Sequence, residues 1–146
     1  MRRILVGYDG SDGGRRALDR AVEEARASRG RITVVSVVNV PLDLDVPRNF
    51  GTLDDIAPDE GAAVTAPLEV VEHLREARDR LGAAGFDAEL VWGAGDPGNV
   101  IVDTAKRIRA SAIVLGEHHH GFLSGLFGAD VDAEVKRQAG CEVILA

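Results

Sequence analysis

One regularity constrains this chain more than any other: short runs rich in β-branched residues alternate with stretches in which apolar residues recur at three- and four-residue spacing. Runs of the first kind are strands and stretches of the second kind are amphipathic helices. Ile4 to Tyr8 is the first run, and after Asp9-Gly10-Ser11-Asp12 the residues Ala17, Leu18, Ala21, Val22 and Ala25 mark one helical face, which Gly30 ends. Ile32 to Val40 is the second run, with the composition of a strand buried on both faces. A helix follows from Pro67, carrying Val70, Val71, Leu74, Ala77, Leu81 and Ala84, with Gly82 or Gly85 as its stop.

Asp87 to Trp92 is the third strand. Gly93-Ala94-Gly95-Asp96-Pro97 reads as a turn that opens the next helix, Pro97 suiting its first position and Val100, Ile101, Ala105 and Ile108 its buried face. Ala112 to Leu115 is the fourth strand, Val131 to Ala139 the last helix, Gly140 its stop, and Cys141 to Ala146 the fifth strand. Pro41 to Ala66 carries three prolines and six acids without a sustained period, and reads as a long acidic connection with at most a short helical turn.

Strands alternating with helices predict the α/β class: a single doubly wound five-stranded parallel sheet, order 3-2-1-4-5, with helices on both faces. The 146 residues are the usual size of one domain, so residues 1–146 are read as one unit. In that strand order the crossovers change direction between strands one and four, opening a crevice at their carboxyl ends. Asp9 to Ser11 and Gly116 to Gly128 both fall there, which makes the crevice the predicted site.

Charge narrows the partners. The net charge of −7, from 24 acids against 17 bases, argues against nucleic acid or an anionic membrane, both of which require clustered Lys and Arg. No segment has the length of an apolar membrane span. Met1-Arg2-Arg3 leads directly into a strand, and the lone Cys141 has no partner for an internal disulfide, so the expected compartment is the cytoplasm. Cys141 is expected to pack as a small apolar residue. His73 is placed on the polar side of its helix, and Trp92 and Tyr8 are read as core or rim residues. Neither Ser11 nor Ser124 stands in a Gly-x-Ser-x-Gly elbow, which leaves a hydrolase without its nucleophile.

The loop Gly116-Glu117-His118-His119-His120-Gly121, with Gly125 and Gly128 beyond it, has the strand, glycine-rich loop and helix order that cradles phosphate. Three histidines and Asp130 depart from a plain cradle. In an extended loop His118 and His120 face one side and His119 the other. Three readings stand open: a solvated polar loop, a protonated histidine on a phosphate, or a metal site that still needs a third ligand.

The opening Ile4-Leu5-Val6-Gly7-Tyr8-Asp9-Gly10-Ser11 with Ala17-Leu18, the Gly95-Asp96-Pro97 turn, and the closing Ser111-to-Ala146 segment together resemble the universal stress protein family. ATP-binding members carry a glycine, two residues, a second glycine, nine residues, then glycine and a serine or threonine. Counted from Gly116, those positions fall on His119, Ala129 and Asp130, so only the first is matched. A gapped reading uses Gly121 and Gly128. The resemblance implies further contacts at Asp9, Gly10 and Ser11 near the adenosine and at Val37 or Val38 beside the base.

Asp130 carries weight in this reading. Like charges about 4 Å apart at an effective dielectric near 20 repel by roughly 4 kcal/mol, about a thousandfold in affinity. Asp is also a favoured N-cap, so its carboxylate is expected to occupy the positive end of a helix starting near Val131. The resulting expectation is a non-enzymatic, stress-related regulator that binds an adenine nucleotide weakly or not at all, with ATP disfavoured. It is expected to form a homodimer through the Cys141–Ala146 edge, as many members of the family do. The alternatives are an ATP-binding member with slow hydrolysis and a metal-binding regulator using the histidine loop.

Overall fold

The computed structural model describes residues 2–39, 50–52, 68–117 and 129–146. Their elements run β1 (Arg3–Gly7), α1 (Asp12–Ser28), β2 (Arg31–Asn39), β3 (Phe50–Thr52), α2 (Leu68–Ala83), β4 (Glu89–Gly95), α3 (Pro97–Ile108), β5 (Ala112–Leu115), α4 (Ala129–Gln138) and β6 (Glu142–Leu145). The sheet order is β3-β4-β2-β1-β5-β6. The five expected strands are β1, β2, β4, β5 and β6, all parallel and in the 3-2-1-4-5 order.

The sixth strand corrects the reading of 41–66 as a plain connection. β3 pairs antiparallel with β4, Phe50 opposite Gly93 and Thr52 opposite Val91. Three residues are too few to show a period, and their backbone pairs only because β4 offers an edge. The second correction is at Gly93 to Gly95, read as a turn; β4 continues through them because β2 is long enough to pair with them, Val37 with Gly93 and Asn39 with Gly95.

Alternation along the strands divides the core in two. Ile4, Val6 and Tyr8 of the first strand and its extension, with Ile32, Val34, Leu90 and Trp92, pack under α1 and α2. Leu5, Val35, Val37, Val91, Ile113 and Leu115 pack under α3 and α4. Helices therefore cover both faces, as a parallel sheet requires. Trp92 and Tyr8 are core residues, 5% and 0% exposed. Truncating a fully buried Leu18 or Ile113 to Ala in such a layer costs about 2–5 kcal/mol.

The helix starts aim the strand ends. Ser11 caps α1, its Oγ accepting from the Gly14 N–H at 3.1 Å. Asp96 caps α3, accepting from the Asn99 N–H at 3.1 Å, with Pro97 at the first position. Gly30 does not stop α1 by its own conformation. Arg29 takes the left-handed position, φ 54°, and Gly30 follows it.

Candidate functional site

β1 and β5 lie side by side, Ile4 opposite Ala112 and Val6 opposite Val114. From β1 the chain crosses to β2, and from β5 to β6 on the opposite side, so the switch in direction falls between them and the loops beyond their carboxyl ends face one another. The contact is backbone on backbone. A Cβ built on Gly116 falls 2.3 Å from the Gly13 carbonyl, so only glycine lets the loop after β5 meet the first turn of α1. The next residue is pinned from two directions: the Glu117 N–H donates to the Ala146 carbonyl at 2.7 Å, and its carbonyl accepts from the Arg16 guanidinium at 3.0 Å.

At the floor of the crevice stands Asp9. Its Oδ1 accepts from the Ser11 N–H at 3.0 Å and from the Ser11 hydroxyl. Its Oδ2 is buried and has no hydrogen-bond partner among the described residues. A carboxylate oxygen left unpaired in this way is an acceptor awaiting a donor, because burial removes the water that otherwise serves it. Gly10 turns the chain between Asp9 and Ser11 at φ +79°.

Behind Asp9, the Tyr8 hydroxyl donates to Glu76 Oε1, and Arg15 Nε holds the same oxygen at 3.1 Å. Burial, reinforced by the Glu76 carboxylate, pushes the Tyr8 hydroxyl's pKa up, so it remains a donor. The Tyr8 hydrogen bond, joined by Arg15, holds the Glu76 carboxyl below its usual range. This triad fastens α2 and α1 to the end of β1.

His73 corrects its placement on a polar helix side. It is half-buried, its ring lies edge-on to Tyr8 with centroids 6.2 Å apart, and it packs against Gly10. Helical spacing alone put it on the polar side, away from the apolar stripe; the turn that comes to meet it follows β1, 63 residues earlier.

On the other face of the sheet, α4 begins at Ala129, two residues earlier than expected. Asp130 therefore lies in the first turn and is not the residue preceding the helix. A second acid, passed over in the sequence, is Asp132, 7% exposed, with Oδ1 unpartnered among the described residues. Burial raises its pKa to about 6, the nearby Glu117 charge adding and Lys136 opposing. Its signal was its spacing of three from the core residue Val135.

Of the predicted site residues, Asp9, Gly10, Ser11 and Gly116 come together at the crevice. Val37 is fully buried and Val38 half-buried at the end of β2. Ala129 and Asp130 are placed by backbone only, in the first turn of α4. His118, His119, Gly121 and Gly128, with His120 and Ser124, lie outside the described residues. Among the described residues no cluster of three or more His, Cys, Asp or Glu is arranged to hold a metal ion. No described helix is long and apolar enough to cross a membrane. Cys141 is partly buried against the α3 and α4 core, and burial raises its thiol pKa.

A doubly wound parallel sheet with a glycine-closed crevice at its switch point places the chain in the α/β class, in which the strand ends at the switch point are the usual place for a ligand. The chain belongs to the universal stress protein family, whose model matches residues 1–146. A universal stress protein of Thermus aquaticus is 32% identical over 146 residues, covering 99% of this chain and 98% of that protein. Two solved structures are similar throughout. A universal stress protein in complex with cAMP shares 26% identity, covers 99% of this chain and 95% of its own, and has a TM-score of 0.70. One from Archaeoglobus fulgidus in complex with dAMP shares 27% identity, covers 99% and 97%, and has a TM-score of 0.65.

Proposed function

We propose that this protein is a non-enzymatic, stress-related regulator of the cytoplasm whose crevice binds an adenosine monophosphate weakly and disfavours ATP. The observation that carries this reading is Asp9 Oδ2, a buried acceptor at the switch point without a partner among the described residues. A ribose hydroxyl is a donor of the right kind for it, and the relatives in complex with cAMP and dAMP carry an adenine nucleotide on the same fold. Of Val37 and Val38, only the half-buried Val38 keeps exposed surface to offer the base.

Acids support the short phosphate chain. The Glu117 charge adds to the raised pKa of Asp132, and Asp130 brings a further negative charge to the same helical turn as Asp132. A triphosphate brought to this end of the crevice meets like charges, whereas a monophosphate brings fewer. His119 stands where ATP-binding members of the family carry their second glycine, and a side chain at that position supports the same reading.

Dimerisation through the chain's last strand completes the reading. β6 is the outer strand of the sheet beside β5, and its Val143, Ile144 and Leu145 are half-buried. Its free backbone edge is suited to a second copy. Calorimetric titration with AMP, cAMP and Mg-ATP tests the nucleotide reading: the monophosphates bind, and Mg-ATP binds about tenfold or more weakly. Mg-ATP bound more tightly than AMP overturns it.

A further inference from the structure

The stripe Val70, Val71, Leu74, Ala77 and Leu81 holds α2 against the sheet, and His73 stands beside that stripe, one turn before Glu76. The two polar side chains reach the same strand end from one helix. Glu76 takes the Tyr8 hydroxyl, and the His73 ring lies edge-on to the Tyr8 ring at an interplanar angle of 81°. The far edge of the imidazole fills the space beside Gly10. A Cβ on Gly10 falls 2.6 Å from His73 Nε2 and 2.8 Å from His73 Cδ2.

No hydrogen bond explains this placement, since Nδ1 is buried and without a partner among the described residues. What the ring gains is contact, with Tyr8 on one side and the left-handed Gly10 turn on the other. That turn connects Asp9 to Ser11, and Ser11 is what fixes Asp9 Oδ1 and leaves Oδ2 free. A buried unpaired nitrogen on a ring whose other edge meets this turn is a cost that structures accept where a function requires the position.

We infer that His73 is a positioning residue of the crevice: it wedges the Gly10 turn from the α2 side so that Asp9 presents Oδ2 to a ligand hydroxyl. The ligand part of this inference rests on the nucleotide reading above; the wedge itself does not. Substitution of His73 acts through Asp9, and its effect is therefore lost when the Asp9 carboxylate is absent.

Two measurements separate these parts. In the ligand-free protein, amide hydrogen exchange at Gly10 and Ser11 accelerates about tenfold in His73→Ala and stays near wild type in His73→Phe, which keeps a ring. In titrations with AMP, His73→Ala weakens binding about tenfold, and the loss disappears in an Asp9→Ala background. Unchanged exchange in His73→Ala overturns the wedge whatever AMP does. Accelerated exchange in a protein whose wild type does not bind AMP upholds the wedge and removes the nucleotide reading. An AMP loss of the same size with and without the Asp9 side chain overturns the route through Asp9.

Discussion

Gly116 and Gly13 touch through their backbones: a Cβ on Gly116 falls 2.3 Å from both the carbonyl carbon and the carbonyl oxygen of Gly13. This contact sets the distance between the first turn of α1 and the loop after β5. Gly116→Ala forces the loop after β5 away from α1 and lowers stability by about 1–3 kcal/mol, the usual effect of overpacking a close contact. Urea unfolding monitored by circular dichroism measures it, and an unchanged midpoint shows that the two separate freely.

Tyr8→Phe removes the donor to Glu76 while leaving the ring in the core. Because Glu76 is partly exposed and keeps Arg15, the expected loss is about 1 kcal/mol at neutral pH. The pH dependence follows from Glu76, whose folded-state pKa is depressed. Its contribution is present above the ordinary carboxylate range and is lost as pH falls through the folded pKa, so the deficit of Tyr8→Phe shrinks in acid. Unfolding midpoints across acid and neutral pH check this, and a deficit that grows in acid contradicts it.

Asp132 carries the opposite sign. Its folded-state pKa of about 6 lies above the ordinary 3.8, so the native protein holds this proton more tightly than the unfolded chain. Stability from this group is fully present below the unfolded pKa and is lost as pH rises through about 6. Asp132→Asn removes the buried charge and raises stability at pH near 8 by about 1–2 kcal/mol, with no gain at pH near 4. Equal effects at both pH values rule out charge as the cause.

Charge and backbone access at the histidine loop are tested together. His119→Gly, Ala129→Gly and Asp130→Ser combined create measurable Mg-ATP affinity, with Asp130→Ser supplying the largest share because it removes a like charge in the first turn of α4. Stability falls slightly, since each glycine adds entropy to the unfolded chain. Calorimetry on the wild type, the three single variants and the combination apportions the effect. Tight Mg-ATP binding by the wild type defeats the reading.

The dimer is tested at β6. Wild type gives a dimer mass by light scattering at high micromolar concentration, and Val143→Asp or Ile144→Lys shifts it to the monomer while circular dichroism is retained. A wild-type monomer at that concentration contradicts the proposed interface.

The strand and helix alternation was readable because its causes are local. Ile4, Val6 and Val34 alternate with Leu5 and Val35 along strands, and Ala17, Leu18, Ala21 and Val22 repeat along a helix, so the chain order alone carries both periods. The doubly wound strand order followed from the limits on crossovers between parallel strands. Asp9, Gly10, Ser11 and Gly116 were singled out as candidate site residues for the same reason: each lies in a loop that follows a strand the pattern identifies. What the linear order does not contain is which side chains meet across the fold. The pairing of Phe50–Thr52 with β4, the wedge of His73 against Gly10, the Tyr8–Glu76–Arg15 triad and the burial of Asp132 all depend on elements distant in sequence. Burial and unpaired polar atoms are properties of packing, and only the tertiary structure decides them.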